Sequence, residues 1–261
     1  MIADYHVHTR ASPDAEGSMA DCVRVAKKRR IPEIGFSEHV LLRPLKGRST
    51  SFLHQMPTYV HDFVEFKENS SIPVKLGAEI DFFSGDVWKI EKFIRKYPFD
   101  YVIGSVHVIG DWIFDEPTEM HEYSKKDAWQ IYNEYFNLVK SAASSRLFDV
   151  LGHPDIIKIF GAKPKADFSQ ILEESAEAIA GANVCIEINT RGLRRPCQEI
   201  YPSEKFLRIL YRHNVPVTFG SDAHTPEDVG RDFNEAAILA KKVGYTHACL
   251  FDHRRRAAVR L

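Results

Sequence analysis

Asp4, His6 and His8 stand two residues apart near the start of the chain. On a β-strand that spacing points all three side chains to one face. Two imidazoles so placed can grip one metal ion. The same residue types return along the chain in Ser37-Glu38-His39, Gly77-Ala78-Glu79 and Gly104-Ser105-Val106-His107. They return again in Gly152-His153-Pro154-Asp155 and Gly220-Ser221-Asp222-Ala223-His224. Imidazole suits zinc, iron and manganese, while carboxylates favour harder ions and can bridge.

Each of these groups closes a short β-rich run. Strands are expected over 3–8, 33–37, 74–80, 101–107, 150–153, 184–189 and 217–221, with a further one over 248–251. Helices are expected over 19–30, 58–69, 86–96, 126–144, 168–180, 203–213 and 234–243. In the 168–180 segment, Ile171, Leu172, Ala176 and Ile179 recur at helical spacing. Asp167 or Ser169 suits its N-cap and Gly181 its stop. Seven strand-then-helix units in series mean parallel strands with crossover helices. An open doubly wound sheet and a closed barrel both satisfy that alternation. Only a barrel brings all the C-terminal strand ends to one mouth. The ligand-type endings therefore argue for the barrel. The long connections 41–57 and 108–125 are expected to act as lids or binding loops.

Composition narrows the function classes. The chain has 261 residues, 44% apolar and 27% charged, which excludes a disordered or low-complexity protein. Lys plus Arg is 35 and Asp plus Glu is 36, for a net charge of −1. That balance, without aromatic-basic interleaving, argues against nucleic acid as a partner. No apolar run approaches the ~20 residues that span a bilayer, so no membrane partner is expected. Cys22, Cys185, Cys197 and Cys249 lack C-x-x-C spacing, and no signal peptide is evident. A cytoplasmic protein of one domain, residues 1–261, is expected. No interface stripe separates itself from the helix faces, so the sequence assigns no oligomeric state. The basic run Arg254-Arg255-Arg256 reads as a solvated tail.

The ordered set Asp4-Tyr5-His6-Val7-His8, Ser37-Glu38-His39, Gly77-Ala78-Glu79, Ser105-Val106-His107, Gly152-His153-Pro154-Asp155 and Gly220-Ser221-Asp222-Ala223-His224 resembles the polymerase-and-histidinol-phosphatase (PHP) superfamily. Segments 105–117 (SVHVIGDWIFDEP) and 187–203 (EINTRGLRRPCQEIYPS) resemble its monofunctional histidinol-phosphate phosphatases. The resemblance runs from Asp4 to about Arg256. It implies a distorted seven-stranded (β/α)7 TIM-like barrel and a site for three divalent transition-metal ions: zinc, manganese or iron. His6, His8, Glu79 and Asp222 would hold the first ion. Glu79, His107 and His153 would hold the second, with Glu79 bridging. Asp14, His39 and His224 would hold the third. The implied reaction is hydrolysis of L-histidinol phosphate, a small-molecule phosphomonoester, to L-histidinol and phosphate. Ions about 3.5–4 Å apart can share a hydroxide that attacks phosphorus in line. Other phosphoesterase activities of the superfamily are the alternative, and a metal-dependent amidohydrolase is a more distant one.

Further residues follow from position. Asp222 or His224 is a candidate to relay a proton to the leaving alkoxide. Arg191, Arg194 and Arg195 follow strand six directly, and Lys158 follows His153. Arg fits phosphate bidentately. Arg194 matches the family pattern best and Lys158 matches a basic position, while Arg191 departs from the small residue often found there. Asp115, in the second long connection, is a candidate to meet the substrate's ammonium or imidazole. Asp4 is a candidate to orient an imidazole N–H, as are Glu187 and Asn189 at the end of strand six.

Overall fold

Short strands, most of them in parallel pairs, alternate with longer helices. The structure is a computed structural model, and it describes residues 2–45 and 52–261. After segment 3–8 come helix α1 (Met19–Lys28), strands β1 (Ile34–Phe36) and β2 (His39–Val40), and helix α2 (Phe52–Asn69). Strands β3 (Val74–Leu76) and β4 (Glu79–Asp81), helix α3 (Val87–Ile94) and strand β5 (Ile103–Ser105) follow. Hairpin strands β6 (Val108–Ile109) and β7 (Trp112–Ile113) precede helix α4 (Ala128–Ser144), strand β8 (Val150–Leu151), helix α5 (Ser169–Ala182) and strand β9 (Cys185–Asn189). The chain continues through α6 (Glu204–Arg212), β10 (Val217–Gly220) and α7 (Phe233–Val243), then β11 (His247–Asp252) and β12 (Arg255–Arg260).

Six strands form one parallel sheet in the order β10-β9-β8-β5-β4-β2. β1 and β3 pair in parallel just upstream of β2 and β4. Segment 3–8 makes ladder-type bonds on both its sides. Toward β1, Gly35 N–H donates to Asp4 O (2.7 Å) and Ser37 N–H to Val7 O (2.9 Å). Toward β10, Tyr5 N–H donates to Phe219 O (3.1 Å) and His8 N–H to Ala223 O (2.9 Å). His6 and His8 are thereby fixed between two strand ends.

Apolar periodicity explains the outer layer. On α4, Ile131, Tyr135, Val139 and Ala142 recur at three- and four-residue spacing and are buried. Each large side chain so buried contributes about 1.5–3 kcal/mol. The same helix reaches the sheet mouth, because Tyr135 Oη donates to His153 O (3.4 Å).

Several expected elements differ in extent. The 74–80 strand is broken at Gly77-Ala78, where a Cβ on Gly77 would lie 2.3 Å from the Tyr101 ring. α5 runs through Gly181 and stops at Asn183, whose φ of 59° and side chain suit a left-handed cap. In the 41–57 connection, residues 46–51 lie outside the described residues, and α2 already starts at Phe52. The 108–125 connection holds the β6–β7 hairpin and a 3-10 turn over Pro117–Lys125. The basic tail is not free: β12 pairs antiparallel with β11, and Arg254 binds Asp149 and Leu147 O. Among the described residues, no helix is long and apolar enough to cross a membrane.

Candidate metal centre

The ligand-type residues of the expected strand endings, joined by Asp14, come together in one cluster. In the first set, His6 Nε2 lies 3.3 Å and His8 Nε2 3.6 Å from Glu79 Oε2. Both also face Asp222 Oδ1, at 3.9 and 3.6 Å. In the second, His153 Nε2 is 2.9 Å and His107 Nε2 3.6 Å from Glu79 Oε1. In the third, Asp14 Oδ2 is 3.6 Å from His39 Nε2 and 3.3 Å from His224 Nε2. Tetrahedral bonds of 2.0–2.2 Å put ligand atoms about 3.3–3.6 Å apart, a range most of these separations match, with His153–Glu79 (2.9 Å) and His6–Asp222 (3.9 Å) just outside it. His6 Nε2 and His8 Nε2 are buried and make no hydrogen bond. Buried imidazole nitrogens without partners are costly, and a cation removes that cost.

Neighbouring carboxylates set the rings. His6 Nδ1 donates to Glu187 Oε1 (2.7 Å), and His107 Nδ1 to Asp81 Oδ1 (2.6 Å). Each bond leaves Nε2 as the ligand nitrogen. Glu187 also accepts His153 N–H (2.8 Å) and an N–H of Asn189 (3.0 Å). Gly220 makes room for it, since a Cβ there would lie 1.8 Å from Glu187 Oε1. Asp4 does not orient an imidazole. Its carboxylate accepts from Ser221, from Gly230 N–H and from His6 N–H, so it braces backbone. Two candidate ligands, His153 (φ 28°) and Asp222 (φ 53°), sit in the left-handed region, a strain of about 1–3 kcal/mol each.

Charges offset one another here. Burial opposes ionisation of Glu79, yet His6 and His39 hold its carboxyl well below the usual range. Burial likewise opposes charge on Asp222, which Arg191 and His6 overcome. Burial works against a charged His39, but Glu79 and Asp14 raise its pKa to about 10. His8 is pushed down by burial and by His39 and His224.

Comparison with known proteins decides the family. The PHP domain matches residues 4–191, and the PHP-associated domain matches 204–242. The chain belongs to the PHP domain family. A probable histidinol-phosphatase of Deinococcus radiodurans is 32% identical over 257 residues, spanning 97% of this chain and 98% of that protein. A histidinol-phosphatase of Lactococcus lactis is 29% identical over 260 residues, spanning 95% of this chain and 93% of the other. The crystal structure of the Lactococcus lactis histidinol phosphate phosphatase complexed with zinc, L-histidinol and phosphate aligns at a TM-score of 0.83 and 26% identity. The alignment covers 98% of both chains.

In this PHP domain Asp14, His39, Glu79, His107, His153, Asp222 and His224 line a cavity of about 350 Å³, while the fully buried His6 and His8 are not on its wall. Arg191 and Arg195 line it, as do Asp115 and Glu116 from the 108–125 connection. Arg191 Nη1 bonds Asp222 Oδ1 (2.7 Å) and lies 3.1 Å from His224 Nε2. Arg194 is placed elsewhere. Its guanidinium donates to Asp232 Oδ2 (2.8 Å) and Ser221 O (3.1 Å), so it braces the loops beneath the mouth. Lys158 also lies away from this cavity. Its buried ammonium donates to Asp155 Oδ2 (3.0 Å) and Ile200 O (2.8 Å) and pairs with Glu199 (3.2 Å). Among the described residues, the guanidinium groups that line the cavity are therefore those of Arg191 and Arg195. Asp81 was not among the expected site residues, although it stands two positions beyond Glu79 on the same strand face.

Proposed function

We propose that this PHP domain hydrolyses L-histidinol phosphate to L-histidinol and phosphate, using three divalent transition-metal ions. The observation that carries the reading is the clustering of possible ligand atoms, among them the groups His6/His8/Asp222, His6/Glu79/His153 and His8/His39/His224, beside a cavity that two arginines line. His6, His8, Glu79 and Asp222 would hold one ion, and Glu79, His107 and His153 a second. Asp14, His39 and His224 would hold the third. Ions bound there act as Lewis acids, lowering the pKa of water and neutralising charge on phosphoryl oxygens.

The chain's own groups do the rest. Arg191 and Arg195 receive the phosphate oxygens and fix the ester in the cavity. Glu187 and Asp81 hold the ligand rings, so that the site needs little reorganisation as charge shifts. Asp222 or His224 passes a proton to the leaving alkoxide oxygen. Asp115 faces the amine or imidazole end of the substrate. The whole chain acts as one domain, and the bonds of segment 3–8 to β1 and β10 support a distorted seven-stranded barrel around the mouth.

The test is phosphate release from a panel of phosphomonoesters that includes histidinol phosphate, with metal content measured on the same sample. A large preference for histidinol phosphate over aryl phosphates is expected. Equal, feeble rates on every monoester would remove the specific substrate. Faster cleavage of a bis-aryl phosphodiester would replace it with a phosphodiesterase.

A further inference from the structure

We propose that Glu38 is a positioning residue for the third ligand set. Its carboxylate clamps the loop that carries Asp14 and so fixes where Asp14 meets His39 and His224. The inference rests on the three-ion reading above.

Glu38 precedes a ligand but is not among the ligands. Alternation along the strand points it away from His39. It is 1% exposed, and both of its oxygens are occupied. Thr9 donates from its N–H (3.1 Å) and its hydroxyl (2.7 Å). Ser12 donates from its hydroxyl (2.6 Å), and Tyr59 of α2 from its own (3.0 Å). Ser12 Oγ in turn accepts His39 N–H (3.2 Å). One carboxylate therefore joins the residue after His8, the start of the Asp14 loop and the backbone of His39. The far side of that loop is tied by Glu16 N–H to His224 O (2.7 Å). Asp14 hangs between these two anchors, with a side chain 58% exposed.

The other sets have an orienting carboxylate that is not itself a ligand, Glu187 for His6 and Asp81 for His107, whereas the carboxylate beside His39 Nδ1 is the ligand Glu79 (2.8 Å). Among the nine assigned ligands, Asp14 stands furthest from its strand, six residues past His8 in the loop that leads to α1. Nothing on its own strand can aim it, so the loop itself has to be held. Glu38 concentrates hydrogen bonds from Thr9 and Ser12 on that loop, and Tyr59 ties the same carboxyl to α2. Its carbonyl also accepts Glu79 N–H (3.0 Å), which keeps the bridging ligand in register with the clamp.

The test is zinc titration and metal content of the full chain, for wild type, Glu38→Gln, Thr9→Val, Thr9→Ser and Ser12→Ala. Glutamine keeps the size of Glu38 but turns one acceptor into a donor that faces donors. Wild type should bind three ions. Glu38→Gln should keep two at wild-type affinity and weaken the third by about 10–100-fold. Thr9→Val should weaken the third ion as well, and Thr9→Ser should restore it. A role confined to stability would lower the Tm of Glu38→Gln and leave all three affinities unchanged, and that result overturns the clamp. Should Glu38→Gln fail to fold, Thr9→Val and Ser12→Ala decide by the same criterion. Two ions in the wild type would overturn the three-ion reading and the clamp together. Three ions in wild type, bound equally well by every variant, would overturn the clamp alone.

Discussion

The inner and outer parts of the ligand cluster are built differently. His6, His8, Glu79, His107, His153 and Asp222 are at most 5% exposed, and they stand on strands or in the turns that directly follow them. Asp14, His39 and His224 have side chains 58%, 26% and 12% exposed. Glu187 and Asp81 bond two inner imidazoles directly, whereas the outer loop is held one step back, by Glu38. Rigid strands place atoms to within the tolerance a metal needs, and loops do so only when anchored. The inner part should therefore keep its geometry through most substitutions, and the outer part should be the one that loses its ion.

The hardest way to break this contrast is Glu79→Gln. Glu79 faces both inner foci through its two oxygens and lies 2.8 Å from His39 Nδ1. Replacing one oxygen by an amide should impair binding of two ions and lower kcat by roughly three orders of magnitude or more. Turnover near wild type with full metal content would refute the bridging role.

Smaller losses should separate the orienting carboxylates from the ligands. Asp81→Asn and Glu187→Gln each replace an ionised acceptor on a ring N–H while leaving every ligand in place. About a 10–100-fold loss of inner-site zinc affinity is expected for each, with the outer ion unaffected. Isothermal titration on both variants checks this. An outer ion lost first would mean that the inner sets do not stand on their own.

The contrast also marks what was readable in the sequence. Parity on parallel strands is a local rule. It gave the shared face of His6 and His8, while ligand-type strand endings marked His39, Glu79, His107, His153, Asp222 and His224 and the family resemblance implied how they group. Arg194 and Arg195 are adjacent in a short turn, and which of them faces the cavity depends on Asp232, a contact 38 residues away that draws Arg194 aside. Lys158 is claimed by Asp155, three residues earlier, and by Glu199 from a distant loop. Spacing carries no information about such capture. Asp81 was within reach of parity, but its role depends on the pairing of β4 with β5, which brings His107 toward it. The strand boundaries were overestimated where Gly77 yields to the Tyr101 ring.

Proton exchange sharpens the contrast at the outer site. With its pKa raised to about 10 by Glu79 and Asp14 against the opposing effect of burial, His39 is protonated at neutral pH before an ion arrives. A ligand imidazole must be neutral, so binding releases that proton. The sign follows: outer-site affinity rises with pH up to about 10, and falls about tenfold per unit for each proton displaced as pH drops below it. His8 and His224, both pushed downward, add no proton to this count at neutral pH. Zinc titrations in two buffers of different ionisation enthalpy measure the release. About one proton attributable to the third ion is expected, and none would show that His39 is already neutral.

The smallest catalytic effect is expected at the cation that lies outside the cavity. Lys158→Ala removes the ammonium from Asp155 and Ile200 O, and leaves a buried carboxylate with Ser203 N–H as its remaining partner (2.8 Å). Loss of one partner from a buried ion pair costs about 3 kcal/mol, so Tm should fall clearly. Arg191 and Arg195 line the cavity, and on the proposed reading they receive the phosphate, so KM for the phosphomonoester should stay within about twofold of wild type. Arg195→Ala should do the opposite, raising KM with little change in Tm. Measuring KM and Tm for both variants separates the two roles, and a large rise of KM in Lys158→Ala with unchanged Tm would return that lysine to the phosphate site.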